Sequence, residues 1–280
     1  MELDELDLRE LFEFGTKNTR SQSRSSGRRN ANEVQPVRIR ERSGIAVGRA
    51  DPNLLDASSS IMAACAMTEL DHIVVAAHTL GQGIAHVKAA LGIELPYGGT
   101  HPRWSTHNHV LRLGDTAFLE VIAIDPSVPA PARPRLFQLD DPGLMAELRT
   151  APRLLTWVVR TTHIVETFLA STRPLGAIEP VSRGDLRWLL TVPNDGTLVD
   201  GGMMPSLIQW SDGAPPISRM RDFGYTLERL EAEHPDPAAY RRDLASIGAD
   251  RHVEIRAAAP ESRARLIAHI RTPEGVRALH

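Results

Sequence analysis

From residue 68 onward the apolar positions switch between a period of two and a period near 3.6, and the switches cut the chain into a recurring unit. Residues 70–77, LDHIVVAA, have the β-branched density of a strand. Thr79 to Leu91 follow with Leu80, Ile84, Val87 and Leu91 at helical spacing, until Gly92 stops the helix. Residues 154–161, LLTWVVRT, are again strand-like and precede a helical stretch from His163 that carries Ile164, Val165, Phe168 and Leu169 and breaks at Pro174 and Gly176. A weaker third copy has TLERLEAE at 226–233, then Asp236 as helix cap with Pro237 in the first turn, and Tyr240, Leu244 and Ile247 on one face before Gly248. The spacing of the three stop glycines is that of an internal repeat.

Each helix is followed by more strand text. HNHVLRLG (107–114) and TAFLEVIAI (116–124) meet at Gly114-Asp115, a tight-turn pair. DLRWLLTVP (185–193) and SLIQW (206–210) follow Gly176, and HVEIRAAA, ARLIAHIRT and GVRAL follow Gly248. A strand, a helix and then two or three strands predict an α+β fold with helices on one side of curved, largely antiparallel sheets, whose concave sides are free to form a pocket. Module one spans 68–125, module two 153–213 and a partial third module 222–280; the join at 126–152 begins with a proline-rich linker and has room for one short helix.

Composition narrows the class. Hydrophobic residues make up 42% of the 280, and 32 basic against 35 acidic side chains leave a formal charge of -3, so the whole molecule has no field that would gather nucleic acid or an anionic membrane. One cysteine, Cys65, excludes an internal disulfide, and a reducing cytoplasm fits. The charge that exists is local: residues 1–16 hold six acids against Arg9, and residues 17–50 hold nine bases against Glu33 and Glu41. SQSRSSGRRNAN at 21–32 has no apolar side chain larger than alanine, so residues 1–66 are expected to be mostly disordered. Met67, just ahead of the first strand, is an alternative start. Phosphate loops, CxxC pairs and HExxH are absent, and thirty arginines against two lysines read as a compositional bias.

The chemistry concentrates in module one. Side chains two apart share a strand face, which places His72 with Leu70, Val74 and Ala76, and Glu120 with Phe118, Ile122 and Ile124. A carboxylate inside FLEVIAI costs several kcal/mol to bury unless a cation, a donor or a metal compensates it. One reading is that Glu120 meets Arg112 on the neighbouring strand and His72 is a satisfied core histidine. The other is that imidazole and carboxylate share a divalent ion.

A module whose first strand carries LDHIVV and whose last carries FLE resembles the vicinal oxygen chelate superfamily, that of glyoxalase I, extradiol dioxygenases and fosfomycin-resistance proteins. YGGTHPRWSTHNHVLRLGDTAFLEVIAID, with the later SLIQW and EHPDP, resembles its glyoxalase-like domain group more closely. The resemblance covers residues 68–280. It implies paired βαβββ modules forming a half-barrel, a divalent metal (Zn, Fe, Mn, Ni or Co) held by first and last strands, a small-molecule ligand, and pairing that extends to a homodimer. Carried over by position, His72 and Glu120 match the metal ligands of module one, and His101, Trp104, Thr106 and Asn108 match the group's loop-and-strand residues. Module two departs from the pattern. Aligned with module one, it puts Trp157 opposite His72 and Ile208, or with one residue of slippage Gln209, opposite Glu120; neither an indole nor an isoleucine ligates a metal.

Two readings follow. In the first, His101, with His107 and His109 as weaker choices, completes a site of two histidines and a carboxylate, and Glu120 and Gln209 are the catalytic residues of a lyase, isomerase or dioxygenase acting on an oxygen-rich molecule. In the second no metal binds, and His101, Trp104, Thr106, Asn108 and Trp157 line a pocket that holds or sequesters a small molecule.

Overall fold

A computed structural model describes residues 68–211 and 215–280; the expectations for residues 1–66 and for the last positions of module two lie outside the described residues. Module one comprises β1 (Glu69–Ala76), α1 (Leu80–Leu91), β2 (Tyr97–His101), β3 (Thr106–Leu113) and β4 (Ala117–Ile124). After α2 (Pro142–Thr150), module two repeats the succession: β5 (Arg153–Arg160), α3 (Ile164–Ala170), β6 (Ala177–Arg183), β7 (Leu186–Val192) and β8 (Ser206–Trp210). The local signals hold where the chemistry is strong: Thr79 caps α1 by accepting from Gln82 N, and Asp141 caps α2 by accepting from Leu144 N.

The two modules build one curled eight-stranded sheet in the order β2-β3-β4-β1-β5-β8-β7-β6. Within each module the first strand lies parallel to the last, and the modules join through the antiparallel β1–β5 pair. Pairing between modules is thus met inside one chain. Alternation then gives each strand two destinations. Ile73 and Val75 of β1 and Leu119 and Val121 of β4 face outward into the main core, with Leu91 of α1 and Ile164 of α3, while Val74, Ile122, Val158 and Ile208 face the concave side.

Strands β9 (Thr226–His234), β10 (Glu254–Ala257), β11 (Arg265–Thr272) and β12 (Gly275–Leu279), with α4 (Pro237–Ser246), follow the same order of elements as the modules. Their sheet, however, runs β10-β9-β11-β12, so the first strand is interior and does not pair with the last. The third unit therefore differs from a copy of the other two. It backs the half-barrel, contributing Leu230, Leu244, Leu266 and Ile270 to the outer core. The last residue is tied in as well, since Leu154 N donates to His280 O at 2.7 Å. Among the described residues no helix is long and apolar enough to cross a membrane.

Candidate functional site

The concave face holds an open cavity with unlike halves. The parallel register of β1 and β4 pairs His72 with Phe118 and Val74 with Glu120, which sets the imidazole and the carboxylate on one wall. His72 stacks on Phe118 with ring centroids 4.5 Å apart, and its Nε2 lies 3.7 Å from Glu120 Oε2. Asn108 of β3 donates Nδ2–H to Glu120 Oε1 at 2.6 Å. Arg112 does not neutralise this acid, because it turns to Gly114 O and Asp115.

In module two the same register places Val158 beside Ser206, so Val158 and Ile208 are the counterparts of His72 and Glu120. That half of the cavity is apolar, closed by Leu190 and by Trp188 and Trp210, whose rings sit 5.2 Å apart. Two expectations are corrected here. His72 pairs with Val158, one residue beyond Trp157, and a one-residue shift reverses the face of a strand. Trp157 is therefore fully buried in the outer core, donating Nε1–H to Met203 O at 2.7 Å. Gln209 also points outward, where its Oε1 accepts from Ile164 N at 2.9 Å and caps the start of α3.

A second layer fixes the polar wall. Asp71 and His72 are neighbours, which an ideal strand would send to opposite faces; the β1–β5 ladder slips between Leu70 and His72, and the carboxylate turns back to accept from His72 Nδ1 at 2.6 Å. Its other oxygen accepts Trp210 Nε1–H at 2.9 Å. Nδ1–H of His72 thereby donates to Asp71, and Nε2 is the ring nitrogen that faces Glu120.

His101 lies 3.1 Å from Thr106 Oγ1 through Nδ1 and 3.1 Å from Arg183 Nη1 through Nε2. A guanidinium only donates, so Nε2 accepts and the ring proton sits on Nδ1. Burial pushes the His101 pKa down to about 4; Glu120 opposes the shift, and Arg183 adds to it. Thr106 is buried behind His101 and acts on its orientation. Trp104 lines the cavity beneath the guanidinium groups of Arg103 and Arg133. His107 and His109 lie off the cavity, the latter bonded to Leu95 O.

Sequence reasoning missed Asp71 and Arg183. A Cβ at Gly98 would stand 2.4 Å from Asn108 Oδ1, so that glycine makes room for a cavity residue, whereas Gly99 is favoured by its φ of +145°, a Cβ there meeting Arg183 Nη1 only at contact distance.

The donor set does not fit the three-ligand metal site expected from His72, Glu120 and His101. His72 Nε2 and Glu120 Oε2 are spaced as two ligands of one ion would be, since bonds near ~2.1 Å at a tetrahedral angle separate donors by ~3.4 Å. His101 cannot complete the set as placed: both its nitrogens are engaged, and the fixed charge of Arg183 beside Nε2 opposes a second cation. Among the described residues no group of three or more His, Cys, Asp or Glu side chains is arranged to hold a metal ion.

A cupped sheet of paired βαβββ modules with a polar cluster in its hollow defines the class of fold seen in the vicinal oxygen chelate superfamily. The chain belongs to the glyoxalase-like domain family, whose model matches residues 70–248. None of the curated proteins matches it. Similar solved structures include a hypothetical protein from Staphylococcus aureus (12% identity, TM-score 0.47, covering 65% of this chain and 75% of that one). Others are methylmalonyl-CoA epimerases from Mycobacterium tuberculosis (18%, TM-score 0.34, 54% and 91%) and, as a variant in complex with 2-nitronate-propionyl-CoA, from Streptomyces coelicolor (16%, TM-score 0.34, 52% and 96%).

Proposed function

We propose that this glyoxalase-like protein is an enzyme that moves a proton on a small, oxygen-rich organic molecule, with His72 and Glu120 as the proton-transfer pair. The observation that carries the reading is the Asp71–His72–Glu120 line. A buried carboxylate fixes the imidazole tautomer, and the free Nε2 faces a second carboxylate across 3.7 Å of a cavity wall. Such a gap is too long for a direct hydrogen bond and leaves both groups available to a ligand atom placed between them. The tryptophan wall opposite supplies apolar contact for the rest of the molecule, and Trp210 ties that wall to Asp71.

Proton exchange tests this directly. Incubated in heavy water with a panel of 2-oxo and 2-hydroxy acids, the protein is expected to exchange the carbon-bound proton of at least one of them, read by proton NMR. His72→Gln and Glu120→Gln should each slow that exchange by about 10²-fold or more. Exchange that is unchanged in both variants overturns the assignment. Binding without exchange leaves a sequestering protein. Finding one divalent ion per chain in untagged protein, lost in both variants, supports the metal-assisted reading despite the engaged His101.

A further inference from the structure

We infer that Arg183 is the residue that selects the ligand, by taking a carboxylate carried on it; this rests on reading the concave cavity as a ligand pocket. Arg183 is the one lysine or arginine among the described residues lining that cavity, and it forms no ion pair there with an acid. The contrast with its neighbours at the rim is direct. Arg103 and Arg133 share Glu179, at 2.5 Å each, so each already has a carboxylate partner within the protein. Arg183 instead donates to the Nε2 of His101, which as the acceptor of a guanidinium N–H carries no proton of its own. A neutral acceptor positions a guanidinium without neutralising it. The charge is thus aimed, half-buried, at a space that Trp188, Ile208 and Trp210 also line, where it interacts more strongly with an anion than it would in water.

The chemistry of the anion follows from what surrounds it. Arg183 offers one planar fork, which matches one planar carboxylate. A phosphate would bring a second negative charge, with no second lysine or arginine among the described residues lining the cavity and with the Glu120 carboxylate 3.9 Å from His101 Nε2. Seated on Arg183, a carboxylate ligand places its neighbouring carbon on the side of His72 and Glu120. Gly99 lies beside the guanidinium, where a built Cβ would stand 3.4 Å from Arg183 Nη1.

The test uses unreactive probes of one shape, so that it stands apart from the proton-exchange experiment. Phenylacetate, phenylacetamide and phenyl phosphate are titrated into the full chain, and binding is read by calorimetry and tryptophan fluorescence. Phenylacetate is expected to bind at least about tenfold tighter than the amide. Arg183→Gln should raise the phenylacetate Kd by roughly 10- to 100-fold while leaving the amide within about twofold. Arg183→Lys should fall between, keeping the charge and losing the fork. A merely structural role would weaken both probes together. Near-UV circular dichroism checks that the variants fold, and Glu120→Gln, which should lose exchange, is expected to keep the carboxylate preference. Equal binding of acid and amide, a preference that survives in Arg183→Gln, tighter binding of phenyl phosphate, or no anion bound at millimolar concentration would each overturn the proposal.

Discussion

Asp71 determines what His72 can do. With its Oδ1 holding the Nδ1 proton at 2.6 Å, the reactive nitrogen is Nε2. Asp71→Asn presents an amide that can turn its NH2 group toward Nδ1, which drives the proton to Nε2. Nitrogen-15 NMR of the imidazole should report this tautomer change, and any exchange activity should fall by a factor comparable to that of His72→Gln. His101 gives a pH prediction. Its pKa is lowered from 6.5 to about 4 by burial, so the unfolded chain takes up a proton that the folded one refuses. Stability therefore declines as pH falls through 6.5 and stops responding to this group below about 4; the full effect is up to roughly 3 kcal/mol. His86 and His252 are lowered too and act with the same sign, so the measurement is the difference in urea midpoint against pH between wild type and His101→Gln, which should show a shallower slope. At this scale much of the site was readable: an acid and an imidazole inside apolar runs mark the wall, and the family's loop residues bring His101 and Asn108 to it. Asp71 and Arg183 were not readable. One depends on a ladder slip, and the other on β6 meeting β2 across the hollow, and neither leaves a periodic trace.

Strands β1, β4 and β5 were legible because their β-branched runs are buried, whereas β2 and β6 were not. YGGTH has two glycines and AIEPVSR has a proline, residues that weaken a strand reading, and both segments lie at the sheet's two edges, where such residues are tolerated. The expectations for Trp157 and Gln209 fail at the same scale: sequence similarity between two modules leaves the register free by one residue, and one residue reverses the face. Gln209 has an element-level task instead. α3 has seven residues and no side-chain cap from His163, so the amide oxygen from β8 satisfies its first N–H. Gln209→Ala should lower stability by about 1 kcal/mol in chemical denaturation and leave probe binding in the cavity unchanged.

Across the whole molecule, the curled sheet ends in two edges that side chains bring together. Glu179 of β6 accepts from Arg103, at the end of β2, and from Arg133 of the linker, while Arg103 also donates to Pro180 O at 2.9 Å. Glu179→Ala strands two guanidinium groups over Trp104. The cost should be about 2 kcal/mol, below the ~3–5 of a fully buried pair because the Arg103 side chain is 41% exposed. Hydrogen exchange should rise at Tyr97–His101 and Ala177–Arg183 ahead of the other strands. The backing sheet has a different consequence. The family match stops at Gly248, but β9 gets both its ladders from strands that lie later, and the final carbonyl is spent on Leu154. A fragment cut where the recognisable signature ends would keep every cavity residue and still present the oily side of the cup to water. The smallest piece of this chain that can be handled in a test tube is thus set by what shields the hollow from behind.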